Sequence, residues 1–202
     1  MALLRQANAR AVRWLVTALC AAAVSAAAGA TLTAAITVAA AAEPAAPSEY
    51  QVKAVFLFNF TQFVEWPPGT FATPEAPFVI GILGSDPFGR QLDEVVRGET
   101  VNRRPLVVQR YGSVADVSNC NILFISRAES GSLKQILAAL KGRSILTVGD
   151  GDDDGQRGIM IRLVTRSNRI RLRIDVDAAK AGNLQISSKL LRPAEIVGTG
   201  EG

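Results

Sequence analysis

From residue 49 onward the chain switches repeatedly between two spacings of apolar residues, and the switches predict its elements. Residues 49–66, EYQVKAVFLFNFTQFVEW, place Val52, Phe56, Phe60, Phe63 and Val64 on one stripe at helical spacing. Val55, Leu57 and Phe58 spread the apolar surface well round the cylinder. The polar remainder is thin: Gln51, Lys53, Asn59, Thr61, Gln62 and Glu65. Such a helix is either buried on several sides or half-exposed toward a partner. Pro67 and Pro68 end it, since proline lacks the donor N–H and disfavours helix in the residue before it. It is shorter than a bilayer requires, and Lys53, Asn59, Gln62 and Glu65 interrupt it.

A Pro-rich turn at 69–77 leads into FVIGILG (78–84), a short continuous apolar run suited to a buried strand. Asp86-Pro87 is a helix-start signal, and the helix carries Phe88, Leu92, Val95 and Val96 as far as Gly98. PLVVQRY (105–111) reads as a second strand, 116–119 as a turn or short helical connection, and CNILFIS (120–126) as a third strand. A helix from Gly131 to Gly142 shows Leu133, Ile136, Leu137 and Leu140 on one face, and SILTVG (144–149) is a fourth strand. GIMIRLVT (158–165) and NRIRLRID (168–175) form an expected antiparallel hairpin turning at Arg166-Ser167. In its second arm Ile170, Leu172 and Ile174 alternate with Arg169, Arg171 and Arg173. An Ala-rich helix begins near Asp177, is interrupted at Gly182, and carries Ile186, Leu190 and Leu191 before Pro193. Strands alternating with helices imply an α/β fold: a single-domain three-layer sandwich, with a mostly parallel sheet and an antiparallel C-terminal hairpin at its edge.

The first 42 residues change the picture of charge and address. Arg5, Arg10 and Arg13 open them, no charged residue follows from Trp14 to Ala42, and small residues close the run. That is the pattern of a cleaved secretory signal, with cleavage near Ala42. An uncleaved anchor is the alternative, since the run is long enough to span a bilayer, but its Ala, Ser and Thr content makes it weakly apolar. Cys20 as a lipidation site is opposed by the large Leu19 before it and by its place inside the run. The expected organisation is a signal peptide at 1–42, a flexible lead-in at 43–48, one α/β domain at 49–197 and a disordered tail at 198–202, in a periplasmic protein. The whole chain has 22 basic and 18 acidic residues, net +4. Losing the three leader arginines and no acid leaves +1, so a globally basic footprint for nucleic acid is absent.

Candidate chemistry is sparse. There is no histidine, which removes the commonest general base and transition-metal ligand. After cleavage Cys120 is alone, so it is either a buried inert thiol or half of an intermolecular disulfide. DGDDDG (150–155) matches the start of an EF-hand calcium loop through Asp150, Asp152, Asp154 and Gly155. Position 12 is Ile161 rather than a glutamate, however, and strands rather than helices flank it, which favours a solvated acidic turn. The strand–helix junctions at 81–86 and 126–131 lack the glycine spacing of a dinucleotide loop, and Asp86 opposes a phosphate. Ser187-Ser188-Lys189 does not have the S-x-x-K spacing, and Lys189 is read more simply as a capping charge. No enzyme activity, cofactor or metal site is therefore expected. Arg157, Arg162, Arg166, Arg169, Arg171 and Arg173 concentrate on the hairpin. They are either the wet face of an edge strand or a docking surface for an acidic partner or a small anion, with Arg169, Arg171 and Arg173 as its candidates.

The stretch KAVFLFNFTQFVEWP (53–67) resembles the start of the YfiR family of periplasmic regulators, also called DUF4154. VIGILGSDPFG (79–89), NILFIS (121–126), ILTVGD (145–150), GIMIRLV (158–164) and RIRLRIDVDAAKAGNLQISSKLLRPAEIV (169–197) match in order across the rest of the mature chain. The aromatic helix ending in Trp-Pro and the terminal Ile-Ser-Ser-Lys-Leu-Leu are the specific motifs. The resemblance implies an exported, non-catalytic repressor. Such a protein binds the periplasmic sensor domain of an inner-membrane diguanylate cyclase and lowers cyclic di-GMP, hence biofilm, and an outer-membrane lipoprotein can sequester it. Relatives use disulfides for stability and redox sensing. With Cys120 alone an internal disulfide is excluded, and Pro193 interrupts a C-terminal run that is usually Leu-Leu-Arg-Leu-Ala.

Repression requires differential affinity for one state of the target, several kcal/mol for a near-complete shift. A few buried aromatic anchors can supply that. Phe60, Phe63, Val64 and Trp66 are the candidates for a partner or homodimer interface; the alternative for each is the monomer core. The second reading is a periplasmic small-molecule sensor feeding another membrane signalling protein. Its crevice would lie at the carboxyl ends of the strands, beside Gly84-Ser85-Asp86, Ser126-Arg127 and Gly149-Asp150.

Overall fold

A computed structural model describes residues 47–151 and 158–197. The expected signal peptide, the first part of the lead-in, the tail and all of the acidic loop beyond Gly151 lie outside those residues, as does Arg157.

Helix α1 spans Glu49–Phe63 and opens on a capping box: the Ser48 hydroxyl accepts from the Gln51 N–H at 3.3 Å, and the Gln51 side chain accepts from the Ser48 N–H at 2.6 Å. It stops three residues before Trp66, because Val64–Glu65 (β1) leave the helix to pair antiparallel with Gln185–Ile186 (β9). The face turned to the sheet differs from the expected stripe. Lys53, Ala54, Leu57, Phe60 and Thr61 are its buried residues, while Val52, Phe56 and Phe63 are half-buried. The aromatic flanks pack sideways, so the buried stripe is rotated from the one that side-chain size suggests.

The central sheet contains Phe78–Leu83 (β2), Thr100–Val101 (β3), Arg104–Tyr111 (β4), Ile122–Ile125 (β5), Leu146–Asp150 (β6), Ile161–Arg166 (β7), Arg169–Asp175 (β8) and Glu195–Val197 (β10), in the order β10-β8-β7-β6-β5-β2-β4-β3. Pairs β2–β4, β2–β5, β5–β6, β6–β7 and β8–β10 are parallel; β7–β8 and β3–β4 are antiparallel. The fully buried run of β2 is what a strand covered on both faces requires. Helices Arg90–Val96 (α2), Leu133–Leu140 (α3), Val176–Ala181 (α4) and Ser188–Leu191 (α5) complete the α/β architecture.

Two cores result. One holds Leu57, Phe60, Ile80, Ile82, Phe124 and Val148 beneath α1 and α2. The other holds Leu83, Leu123, Ile125, Ile136 and Leu140 beneath α3. They are the two interfaces of the expected three layers.

Four local expectations are corrected. Asp86 caps the N–H groups of Phe88 and Gly89 at 2.7 and 3.2 Å, which closes a turn ahead of α2 rather than starting the helix itself. The hairpin turns at Ser167-Asn168, with φ of 48° and 59°, one residue later than expected; two residues in the left-handed region match the twist of a two-residue hairpin. The residues after Gly182 do not continue a helix. They give β9, α5 and β10 instead. Finally, the hairpin is not the sheet edge along its whole length: Glu195–Val197 pair with Arg173–Asp175, leaving only the first half of β8 uncovered.

Candidate functional site

The carboxyl ends of β2, β5 and β6 are where a parallel sheet with connections diverging to either side offers a crevice. Here β2 is followed by β4 on one flank and the chain then crosses to β5 on the other, so the divergence falls between β2 and β5. Asp150, the last residue of β6, points toward α1 from this end. Its side chain is 3% exposed. Helix α1 answers it with two residues from its first turns. Lys53 Nζ donates to Asp150 Oδ1 at 2.5 Å, and the Tyr50 hydroxyl donates to Asp150 Oδ2 at 2.8 Å. Lys53 also pairs with Glu49, one helical turn earlier, and Glu49 accepts from the Thr165 hydroxyl of β7 at 2.7 Å. Arg127 approaches Asp150 Oδ1 at 3.7 Å from the solvent side.

This network ties the start of α1 to β6 and β7 and satisfies a lysine with no exposed surface. Its electrostatics follow from the partners. Hydrogen bonds from Lys53 and Thr165 hold the Glu49 carboxyl below its usual range. Burial, and then the neighbouring Asp150 carboxylate, push the Tyr50 phenol up to about 12, so it stays a neutral donor. The Tyr50 ring packs edge-on to Phe88 at 5.6 Å, and Phe88 in turn to Phe124 at 4.7 Å, which joins the ionic cluster to the apolar core.

Described residues occupy more of the crevice. At Gly84, with φ of 84°, a Cβ would stand 2.6 Å from Glu129 Oε1, so the glycine both takes a left-handed turn and admits the Glu129 side chain over it. The space left beside Asp150, lined by Ser126, Arg127 and Ile159, is about 10 Å³. That is room for a single water at most. The arrangement can lock a helix to a sheet, and among the described residues it engages its polar groups with one another. Among the described residues no cluster of three or more cysteine, aspartate or glutamate side chains is placed to hold a metal.

The candidate interface residues do not form one surface. Phe60 is fully buried and Val64 nearly so, both in the core under α1. Phe63 and Trp66 are half-buried against that core, with Trp66 edge-on to Phe78 at 4.9 Å. The indole N–H of Trp66 meets no acceptor among the described residues. Of the candidate docking arginines, Arg169 and Arg171 are exposed, while Arg173 is half-buried and lies 3.3 Å from Glu195. Cys120 is buried, its Sγ 3.0 Å from the Ile122 carbonyl oxygen, and burial pushes its thiol up to about 12, as an inert thiol requires.

Sequence reasoning missed the ionic network. It counted Lys53 in the thin polar remainder of the helix, and read Asp150 as part of a solvated acidic turn. A signal was present in the Glu49–Lys53 spacing of four, which pairs charges on one helical face, and in an aspartate ending an apolar strand. Nothing in the sequence said that the two would meet.

The family model described as DUF4154, YfiR/HmsC-like, matches residues 50–195, and the chain belongs to that family. A search of curated proteins finds no match.

Proposed function

We propose that this YfiR/HmsC-like protein is an exported, non-catalytic regulator that binds the periplasmic sensor domain of an inner-membrane diguanylate cyclase and represses cyclic di-GMP synthesis. The observation that carries the reading is the family match across 50–195, which covers nearly all of the described fold and at family level supports a periplasmic regulator of a diguanylate cyclase. Two features favour recognition over turnover. The buried Lys53–Asp150 cluster is saturated by its own members, so its groups are engaged in holding α1. Phe63 and Trp66 remain half-exposed beside the β1–β9 pair, where an aromatic surface suits a docking anchor, with Phe60 and Val64 packed behind it. Arg169 and Arg171 supply a second, cationic surface for an acidic patch of the partner. No helix among the described residues is long and apolar enough to cross a membrane, so these residues carry no helical anchor of their own.

Deleting the gene should raise cellular cyclic di-GMP, and the purified protein should bind the periplasmic domain of a cyclase encoded beside it. Phe63→Ala should weaken that binding at least tenfold with the melting temperature held within a few degrees. Unchanged cyclic di-GMP after deletion, together with no binding, defeats the reading. Loss of folding rather than binding in Phe63→Ala assigns that side chain to the core.

A further inference from the structure

The amino-terminal end of the sheet is built differently. A groove of about 430 Å³ runs between α3 and α4, over the residues that enter β6 and β7. Leu137, Leu140, Ile145 and Met160 supply its apolar floor. The second wall is made of small residues, Ala178, Ala181 and Gly182, whose lack of side chain leaves that floor uncovered. A Cβ at Gly182 would stand 2.6 Å from the Met160 terminal methyl, so the glycine lets that flexible side chain lie against this wall. Lys134, Lys141 and Arg143 stand around the groove, and among the described residues no acidic one lines it. Among the described residues neither lysine has an ion-pair partner, and both are exposed. The Arg143 guanidinium is anchored by the Ser118 carbonyl at 2.5 Å.

We propose that this groove binds a small amphiphile with an apolar body and one anionic head, the body on the Leu137–Met160 floor and the head among Lys134, Lys141 and Arg143. The volume falls within the range of small-molecule sites. The charge argument selects the head: three cations and no carboxylate among the described lining residues complement an anion, and Arg and Lys both pair carboxylates and phosphates. The same argument disfavours a second copy of this chain as the occupant, since two copies meeting face to face here would oppose their cations. Met160, unbranched and adaptable, suits a floor that moulds to a ligand. Binding here needs no partner protein, so the inference stands apart from the cyclase reading and fails or survives separately.

The test is isothermal titration of the purified protein with decanoate and 1-naphthoate, each beside its neutral alcohol, decanol and 1-naphthalenemethanol. At least one anion is expected to bind saturably, and at least tenfold more tightly than its alcohol. Lys134→Glu combined with Lys141→Glu should weaken the anion at least tenfold and leave the alcohol unchanged. Ala181→Trp fills the groove from an exposed position and should abolish binding, and Ala138→Trp does the same from the α3 wall should the first variant not fold. No saturable binding by either anion overturns the proposal. So does equal affinity for acid and alcohol, binding that survives a folded tryptophan variant, or binding only to phosphatidylglycerol vesicles, which would assign the cations to a lipid surface.

Discussion

At the carboxyl end of β2, β5 and β6 the chain's own groups enter the crevice offered by a parallel sheet: Tyr50 and Lys53 on Asp150, and Glu129 over Gly84. At the amino end of β6 and β7 a space stays open, floored by aliphatic side chains and, among the described residues, ringed by cations without a lining carboxylate. The first end has pairs of opposite charge, with Lys53–Asp150 dry at the centre and Glu49 and Arg127 at its wet margin. The second has charges of one sign, and its two lysines stand in solvent. Paired buried charges are costly to separate, so the first end is stiff and specifies where α1 sits. Unpaired surface cations cost the fold little, so the second end is free to change or to bind. Fold type points to the carboxyl end as the ligand site; side chains reverse that expectation.

The sharpest break in the comparison is to remove one charge from the closed end. Lys53→Met leaves the buried Asp150 with only the solvent-exposed Arg127, 3.7 Å away, as a cation, and is expected to cost about 3–5 kcal/mol in urea denaturation. Lys53→Met combined with Asp150→Leu should recover most of that loss, because well-packed apolar residues replace a buried pair at little cost. A single variant as stable as the wild type would show that the pair is not what holds α1.

Tyr50→Phe asks for less. It keeps the ring on Phe88 and deletes the donor to a carboxylate, with an expected loss of about 1.5–3 kcal/mol. The Tyr50 phenol is raised in the folded state, so its contribution is complete below its ordinary value of 10.0 and is lost as pH climbs through about 12. The variant should lack that part of the alkaline destabilisation, read as melting temperature against pH.

At the open end Ala181→Trp should change stability by no more than about 0.5 kcal/mol, since the position is exposed and the Gly182 cap bonds to the carbonyls of residues 178–180 rather than to Ala181. A loss comparable to that of Tyr50→Phe would make the two ends alike. Smallest of all is the acid response of Glu49. Its carboxyl is lowered in the folded state, so the stability it contributes is present above its ordinary value of 4.5 and fades as pH falls below that. Glu49→Gln should flatten that part of the acid limb slightly, since the side chain is 42% exposed and solvent screens it.

Much of the fold was legible because its strands are continuous apolar runs and its longer helices have clear periodicity. FVIGILG, NILFIS and the alternating RIRLRID each contain the strand expected of them. The short elements were not legible. Val64–Glu65 read as the end of a helix and became a strand, because Gln185–Ile186 lay alongside to pair with them. Glu195–Val197 had no strand signal of their own and acquired one from the uncovered edge of β8. The hairpin arginines read as edge protection, but only the first half of β8 remains an edge. The aromatic residues of α1 divided among core and surface in a way their spacing did not settle: Phe60 went to the core, while Phe63 and Trp66 stayed half-exposed.

The sequence by itself determined the α/β class and the aromatic helix, since these follow from local periodicity and composition. It also carried enough ordered motif to resemble the family to which the chain belongs. Only the tertiary structure decided that Lys53, written into an apolar helix as its apparent polar face, is the most buried charge in the described chain. A lysine can be buried only where its counter-charge arrives, and Asp150 is ninety-seven residues away in sequence and 2.5 Å away in space.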